Sequence, residues 1–216
     1  TAARISIFIL LAASYDLLLG YTGVVSFAHA MFFGMGAYGV GLASTHMGRG
    51  FGALALGSLS GAILAAALAF VIALFSLRVR AIFFAMITLA VASAFAVLVS
   101  QLSWLTGGED GFTFQIPREL GPANRMGEFL GVSITGKILN YYLVFFVSFA
   151  LFLMLLRVVN SPFGRVLQAI RENDFRAEAI GYRVVRYRII ATCLSAAVAA
   201  LAGSLFAIWL RYVGPD

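Results

Sequence analysis

Residues 138–210 read ILNYYLVFFVSFALFLMLLRVV, then NSPFGRVLQAIRENDFRAEAIGYRVVRYR, then IIATCLSAAVAALAGSLFAIWL. The first and third segments are apolar with a single arginine between them, and each is long enough to cross ~30 Å of hydrocarbon, which takes about 20 helical residues. The middle segment carries Arg165, Arg171, Arg176, Arg183, Arg186 and Arg188 against Glu172, Asp174 and Glu178. Two apolar runs joined by a basic connection are the pattern of two membrane helices whose connection stays on the cytoplasmic side.

Working outward, further apolar stretches occupy Ile5 to Leu19, Val24 to Thr45, Phe51 to Leu77 and Ala81 to Leu102, which with Ile138 to Val159 and Ile189 to Leu210 makes six candidate spans. Hydrophobic residues are 62% of the 216 and charged ones 11%, too little polar surface to clothe a soluble globule of this size. The fold class expected is therefore an all-α polytopic membrane protein, one transmembrane domain over 1–216. Thr1 opens the chain inside an apolar stretch and Asp216 closes it just after another, so truncation at both ends is expected. The formal charge of +6 points to topology rather than to nucleic acid, because the basic residues crowd one connection. Alternation places Arg78 and Arg80 inside with the basic loop. The long loop 103–137 and Arg49 then lie outside. Cys193 has no partner cysteine and sits in an apolar run, which excludes an intrachain disulfide and marks it as packing.

Small residues recur at Gly57, Gly61, Ala65 and Ala69, and again at Ser195, Ala199, Gly203 and Ala207. Each set forms a stripe along one helix, which lets neighbouring helices approach closely. Leu18 to Gly41 reads LLGYTGVVSFAHAMFFGMGAYGVG, and a chain break is expected at Gly20, Tyr21, Thr22 and Gly23. Two placements of that break stay open: a cytoplasmic turn, or a break near the midplane whose freed amides suit an anionic substrate group. Ser26 and His29 would lie one turn apart on the same face. His29 and His46 lack the partners a metal site needs, so no metal is expected. Asp16, the only acid in the first four spans, is a candidate for the pathway or for pairing with a neighbouring helix.

Outside, TGGEDG at Thr106 to Gly111 is turn chemistry, and reads equally as a docking surface for a soluble partner or as an ordinary solvated loop. GVSITGKI at Gly131 to Ile138 nearly matches a phosphate-cradling loop, but Ile138 stands where a hydroxyl must reach magnesium, and the segment is on the wrong side for nucleotide. In the basic loop, Ser161 is expected to cap a helix starting at Pro162. Phe163, Val166, Leu167 and Ile170 form its apolar face, Asn173 marks a stop and restart, and Gly181 closes the second turn. Such an amphipathic pair suits either contact with a cytoplasmic partner or the lipid headgroups.

Four blocks together resemble the branched-chain amino acid ABC transporter permeases, LivM-type subunit. They are GYTGVVSFAHAMFFGMGAY at Gly20 to Tyr38, LRVRAIFFAMITLA at Leu77 to Ala90, WLTGGEDGF at Trp104 to Phe112 with Ile116 and Pro117, and the loop from Ser161 to Arg188. The resemblance implies a subunit forming half of a translocation path in a bacterial inner membrane, with no nucleotide site of its own. It implies a second related permease, two cytoplasmic ATPase subunits that bind ATP and magnesium, and a periplasmic solute-binding protein, with no nucleic acid. The loop 161–181 would then be the coupling loop, with Arg165, Arg171, Glu172, Asn173, Glu178 and Gly181 facing an ATPase. Gly107, Gly108, Glu109 and Asp110 would meet the binding protein, and Gly20 to Gly23, Ser26 and His29 would border the path. Ala28 stands where the family often has Gly, and Ala92 and Ser93 where it often has a Gly-Glu pair. The same family serves urea, short amides and aromatic acids. A secondary transporter or channel is the alternative reading, and it leaves the amphipathic pair unexplained.

Overall fold

A computed structural model describes residues 2–76, 81–121, 125–129 and 132–214. Arg78, Arg80 and part of the second signature block lie outside the described residues. The helices are α1 (Ala2–Thr22), α2 (His29–Met47), α3 (Phe51–Ser76), α4 (Ala81–Gln101), a single turn α5 (Ser103–Thr106), α6 (Gly136–Val159), α7 (Pro162–Glu172), α8 (Asp174–Ala179) and α9 (Val184–Leu210). Short strands β1 (Phe112–Thr113) and β4 (Tyr212–Val213) pair antiparallel, as do β2 (Arg125–Phe129) and β3 (Val132–Thr135). The expected long loop after α4 is thus partly folded. The fold is an all-α polytopic membrane bundle with two small β additions.

Among the described residues five helices, α1, α3, α4, α6 and α9, are long and apolar enough to cross a membrane. The sixth expected span, Val24 to Thr45, is corrected: residues 23–28 are not helical and α2 begins only at His29. Its glycines, Ser44, Thr45 and two histidines dilute its apolar content below that of a span. Such a helix is tolerated because its neighbours cover it.

α9 is the axis of the molecule, with 61% of its spanning stretch buried against 17% for α4 and α6. Its stripe of Ser195, Ala199, Gly203 and Ala207 is buried, as the period of four requires. A Cβ on Gly203 would fall 1.8 Å from the Phe33 carbonyl oxygen, and one on Gly36 would fall 1.7 Å from that of Ala200, so α2 and α9 touch backbone to backbone. The α3 stripe packs on α2 in the same way, with Gly57 against Gly39 and Gly61 against Gly36. Small residues supply this closeness because lipid offers no hydrophobic drive between helices. Large apolar side chains face outward instead, including Leu59, Ile63 and Leu64 on α3 and Phe146 and Phe149 on α6.

The molecule has two distinct ends. At one, α7 and α8 fold back on the bundle through Leu167, Ile170, Ala177 and Val184, all buried. At the other, β1 and β4 tie the segment after α4 to the segment after α9.

Candidate functional site

α1 stays helical through Thr22, whose hydroxyl donates to the Leu18 carbonyl at 2.6 Å. The expected break at Gly20 to Gly23 is therefore displaced: Gly20, Tyr21 and Thr22 are helical, and only Gly23, with φ +70°, leaves the helix. Glycine is needed there because a side chain rarely adopts that conformation. From Gly23 the chain turns back along the bundle without forming a helix until His29.

Its depth follows from its partners. The Phe27 amide donates to Thr88 Oγ1 on α4 at 3.1 Å, and His29 Nε2 lies 2.8 Å from Ser195 Oγ on α9, which in turn donates to the Ser14 carbonyl on α1. Thr88 is seven residues into α4, Ser195 eleven into α9, and Ser14 eight before the end of α1. At 1.5 Å per residue these lie about 10, 16 and 12 Å from the end that carries α7. All three place the stretch at least about 10 Å in from that end. Residues 23–28 are a stretch that starts at the basic end and leads back between α1, α4 and α9 to the start of α2.

Non-helical backbone at this depth is tolerated only where its polar groups find protein partners or line a water-filled path. Thr88 serves the Phe27 amide, and Ser26 Oγ accepts from the Ala28 amide at 3.3 Å. Ser26 is thus a local turn former in the extended stretch, and the expectation that it shares a helix face with His29 is corrected. Ser195 has one hydroxyl proton, and Ser14 O takes it. The His29 Nε2–H is therefore the donor to Ser195, which leaves Nδ1 of the neutral ring as a bare acceptor. That atom is buried without a partner among the described residues. Tyr15 holds the ring edge-on, with centroids 4.9 Å apart.

Beside the first half of α2, a cavity of about 140 Å3 opens towards α4, lined among others by Ala30, Gly34, Tyr38, Ala92 and Phe95. The Tyr38 hydroxyl is buried and without a partner among the described residues. Ala92, where the resemblance would often place Gly, is part of its wall, whereas Ser93 lines a separate open cleft on α4 with Val97 and Gln101. Asp16 is exposed, and its carboxylate lies over Gly20; among the described residues it forms no ion pair.

At the basic end, α7 begins at Pro162 as expected, but the Ser161 hydroxyl donates backwards to Val158 instead of capping the helix. Asn173 closes α7 and opens α8, accepting the Arg176 amide at 2.9 Å on its side chain. Gly181, at φ +94°, ends the pair. Arg188 on α9 binds both carboxylate oxygens of Asp174 at 2.9 Å, which fixes α8 to the bundle. Arg165, Glu172 and Glu178 are exposed. Arg171 is turned the other way: its guanidinium donates to the Gly20 carbonyl, and its stem covers Gly23. Two residues that sequence reasoning passed over stand out here. Phe175 is 86% exposed and Ile180 69%, both at the end of the molecule where α7 and α8 sit. Their signal was available as two large apolar residues within an otherwise charged segment.

At the opposite end Gly107, Gly108 and Gly111 all adopt positive φ and form a tight turn. Gly108 is buried, so of the four candidate docking residues only Glu109 and Asp110 present side chains to solvent. Tyr212 Oη donates to the Asp110 carbonyl at 2.9 Å, and Thr106 Oγ1 donates to Val99 O at 2.6 Å, so the turn is held from both sides.

The whole chain, residues 1–216, matches the family described as branched-chain amino acid transport system / permease component. It is 29% identical over 230 residues to the high-affinity branched-chain amino acid transport system permease protein LivM of Salmonella typhimurium, covering 100% of this chain and 53% of that protein. It is 28% identical over 225 residues to the protein of the same name from Escherichia coli, covering 97% and 52%. A probable branched-chain amino acid transport permease protein LivM of Methanocaldococcus jannaschii is 37% identical over 68 residues, or 32% of this chain and 20% of that one. The chain spans about half the length of the first two relatives. No solved structure matches it.

Proposed function

This chain belongs to the branched-chain amino acid transport permease family, and from that premise we propose that it is part of a permease subunit of an ABC importer for branched-chain amino acids or related small solutes. The observation that carries the reading is the α7–α8 pair. It is packed firmly to the bundle by Leu167, Ile170 and the Arg188–Asp174 pair, yet presents Phe175 and Ile180 uncovered. A rigid lever with two bare apolar side chains fits a cleft of a cytoplasmic ATPase, with Arg165, Glu172 and Glu178 around the rim.

ATP and magnesium are held by the partner ATPases. This chain is read as supplying no nucleotide site, a reading supported by residues Val132–Thr135 of the near-match, which run as strand β3. A second related permease completes the path against α2 and α4, where residues 23–28 and the 140 Å3 cavity lie. A periplasmic binding protein delivers solute to the end bearing Glu109 and Asp110.

The test is reconstitution of the intact subunit with partner permease, ATPases and binding protein. Loaded binding protein is expected to stimulate ATP hydrolysis, and Glu178→Arg is expected to remove the stimulation while the complex still assembles. Solute uptake by the subunit without ATP would sink the reading and favour a secondary transporter.

A further inference from the structure

We infer that Arg171 is a positioning residue that carries motion of the coupling pair into residues 23–28, an inference that rests on the importer reading above. Sequence alone places Arg171 among the groups facing an ATPase. Its contacts reach the end of α1 and the break, although the side chain as a whole is exposed.

Three observations meet there. The guanidinium donates to Gly20 O, one of the last carbonyls of α1, which has no amide partner within its own helix. A cation is favoured at that helix end on electrostatic grounds as well. The stem of Arg171 lies directly over Gly23, where an added Cβ would stand 3.2 Å from Arg171 Cγ. Gly23 is the pivot, since its φ of +70° ends α1 and starts the return.

From that pivot the chain runs only to Phe27 before its next side-chain anchor on another helix, at Thr88, and to His29 before the anchor at Ser195. Residues 24–26 lie between the Arg171 clamp and those anchors. A displacement of α7 is therefore delivered first to Gly20 and Gly23, and through them to a piece of backbone that, among the described residues, is neither helix nor strand at that depth. α7 cannot move independently of α8 and the start of α9, because Ile170, Ala177 and Val184 pack as one cluster. The pair moves as a body, packed on α1 through Leu167 and Phe163, and Arg171 is its polar side-chain grip on the end of α1 and the break.

The test uses the assembled importer with Cys193→Ala and any cysteine outside residues 1–216 replaced likewise, so that the thiol read in this subunit is that of Phe27→Cys. Phe27 is half exposed, and its position reports residues 23–28. The rate of labelling by a small maleimide is measured without nucleotide and in the ATP-trapped state. The two rates are expected to differ by at least ~5-fold, the lower end of ordinary coupling between sites. Arg171→Met keeps the stem over Gly23 and removes the donor, and is expected to bring the ratio close to one. Arg171→Lys, which retains a donor, restores part of it, whereas loss of packing alone would not distinguish Met from Lys. A nucleotide response of unchanged size in Arg171→Met overturns the inference, and so does a parent that transports with ATP but shows no response at position 27. A parent that moves solute without ATP refutes the importer reading instead.

Discussion

Ser195 has one hydroxyl proton and stands between a backbone carbonyl that accepts it and an imidazole that needs an acceptor. This fixes the direction of both hydrogen bonds and ties α1, α2 and α9 together at a single atom. Removing the hydroxyl leaves the buried His29 Nε2–H without its partner, while the Ser14 carbonyl keeps the amide of its own helix. Ser195→Ala is therefore expected to destabilise the subunit by about 1–3 kcal/mol, the usual cost of orphaned buried polar groups, read as a lower unfolding temperature in detergent. An unchanged midpoint would show that this junction does not hold α2 in place. His29 and Ser195 were each visible in sequence, one in a candidate path and the other in a packing stripe. Their pairing was not, because 166 residues separate them and nothing local records it. Arg171 illustrates the same limit. Amphipathic spacing identified the apolar face of α7, but every polar residue off that face looks alike until the neighbouring helix is placed.

The helices show where periodicity is informative and where it fails. The stripes on α3 and α9 were legible because small residues repeat every fourth position, and both are buried as close-approach surfaces. α2 carries Gly34, Gly36, Gly39 and Gly41 without such regularity, so its contact face could not be read in advance. The structure separates them. Gly36 meets the Ala200 backbone at 1.7 Å from an added Cβ, while at Gly34 the nearest atom is Phe95 Cε1 at 3.6 Å, ordinary contact. Gly36→Ala is thus expected to force α2 and α9 apart and cost about 1–3 kcal/mol or more, as overpacking does. Gly34→Ala is expected to be neutral or to stabilise by up to about 1 kcal/mol through helix propensity. Thermal unfolding of the two variants side by side checks this, and equal losses would contradict the assigned α2–α9 contact. The break before α2 was misplaced in sequence by a few residues for a related reason. Glycine at position 20 suggests an interruption, but only Gly23 has the backbone angle that ends the helix, and Gly20 remains within α1.

Across the whole molecule, the two ends are fastened differently. At one end the segments after α4 and α9 are joined by β1 and β4, and the Gly107 to Gly111 turn is pinned by Thr106 and Tyr212. At the other, α7 and α8 are held by Leu167 and Phe163 in the core shared with α1, by the Ile170, Ala177 and Val184 cluster, by one ion pair and by the Arg171 contact. The positive-inside rule assigns the end that carries α7 and α8 to the cytoplasm, since Arg165, Arg171, Arg176, Arg183, Arg186 and Arg188 cluster there. Charge thus gives the orientation, and the orientation has a direct consequence. In a Cys193→Ala background within intact cells, Glu109→Cys is expected to react with a membrane-impermeant maleimide. Phe175→Cys, although at the most exposed large apolar position among the described residues, is expected to react only after the membrane is opened. The reverse pattern would put Phe175 and Ile180 outside, where no ATPase could reach them, and the coupling assignment would fail with it.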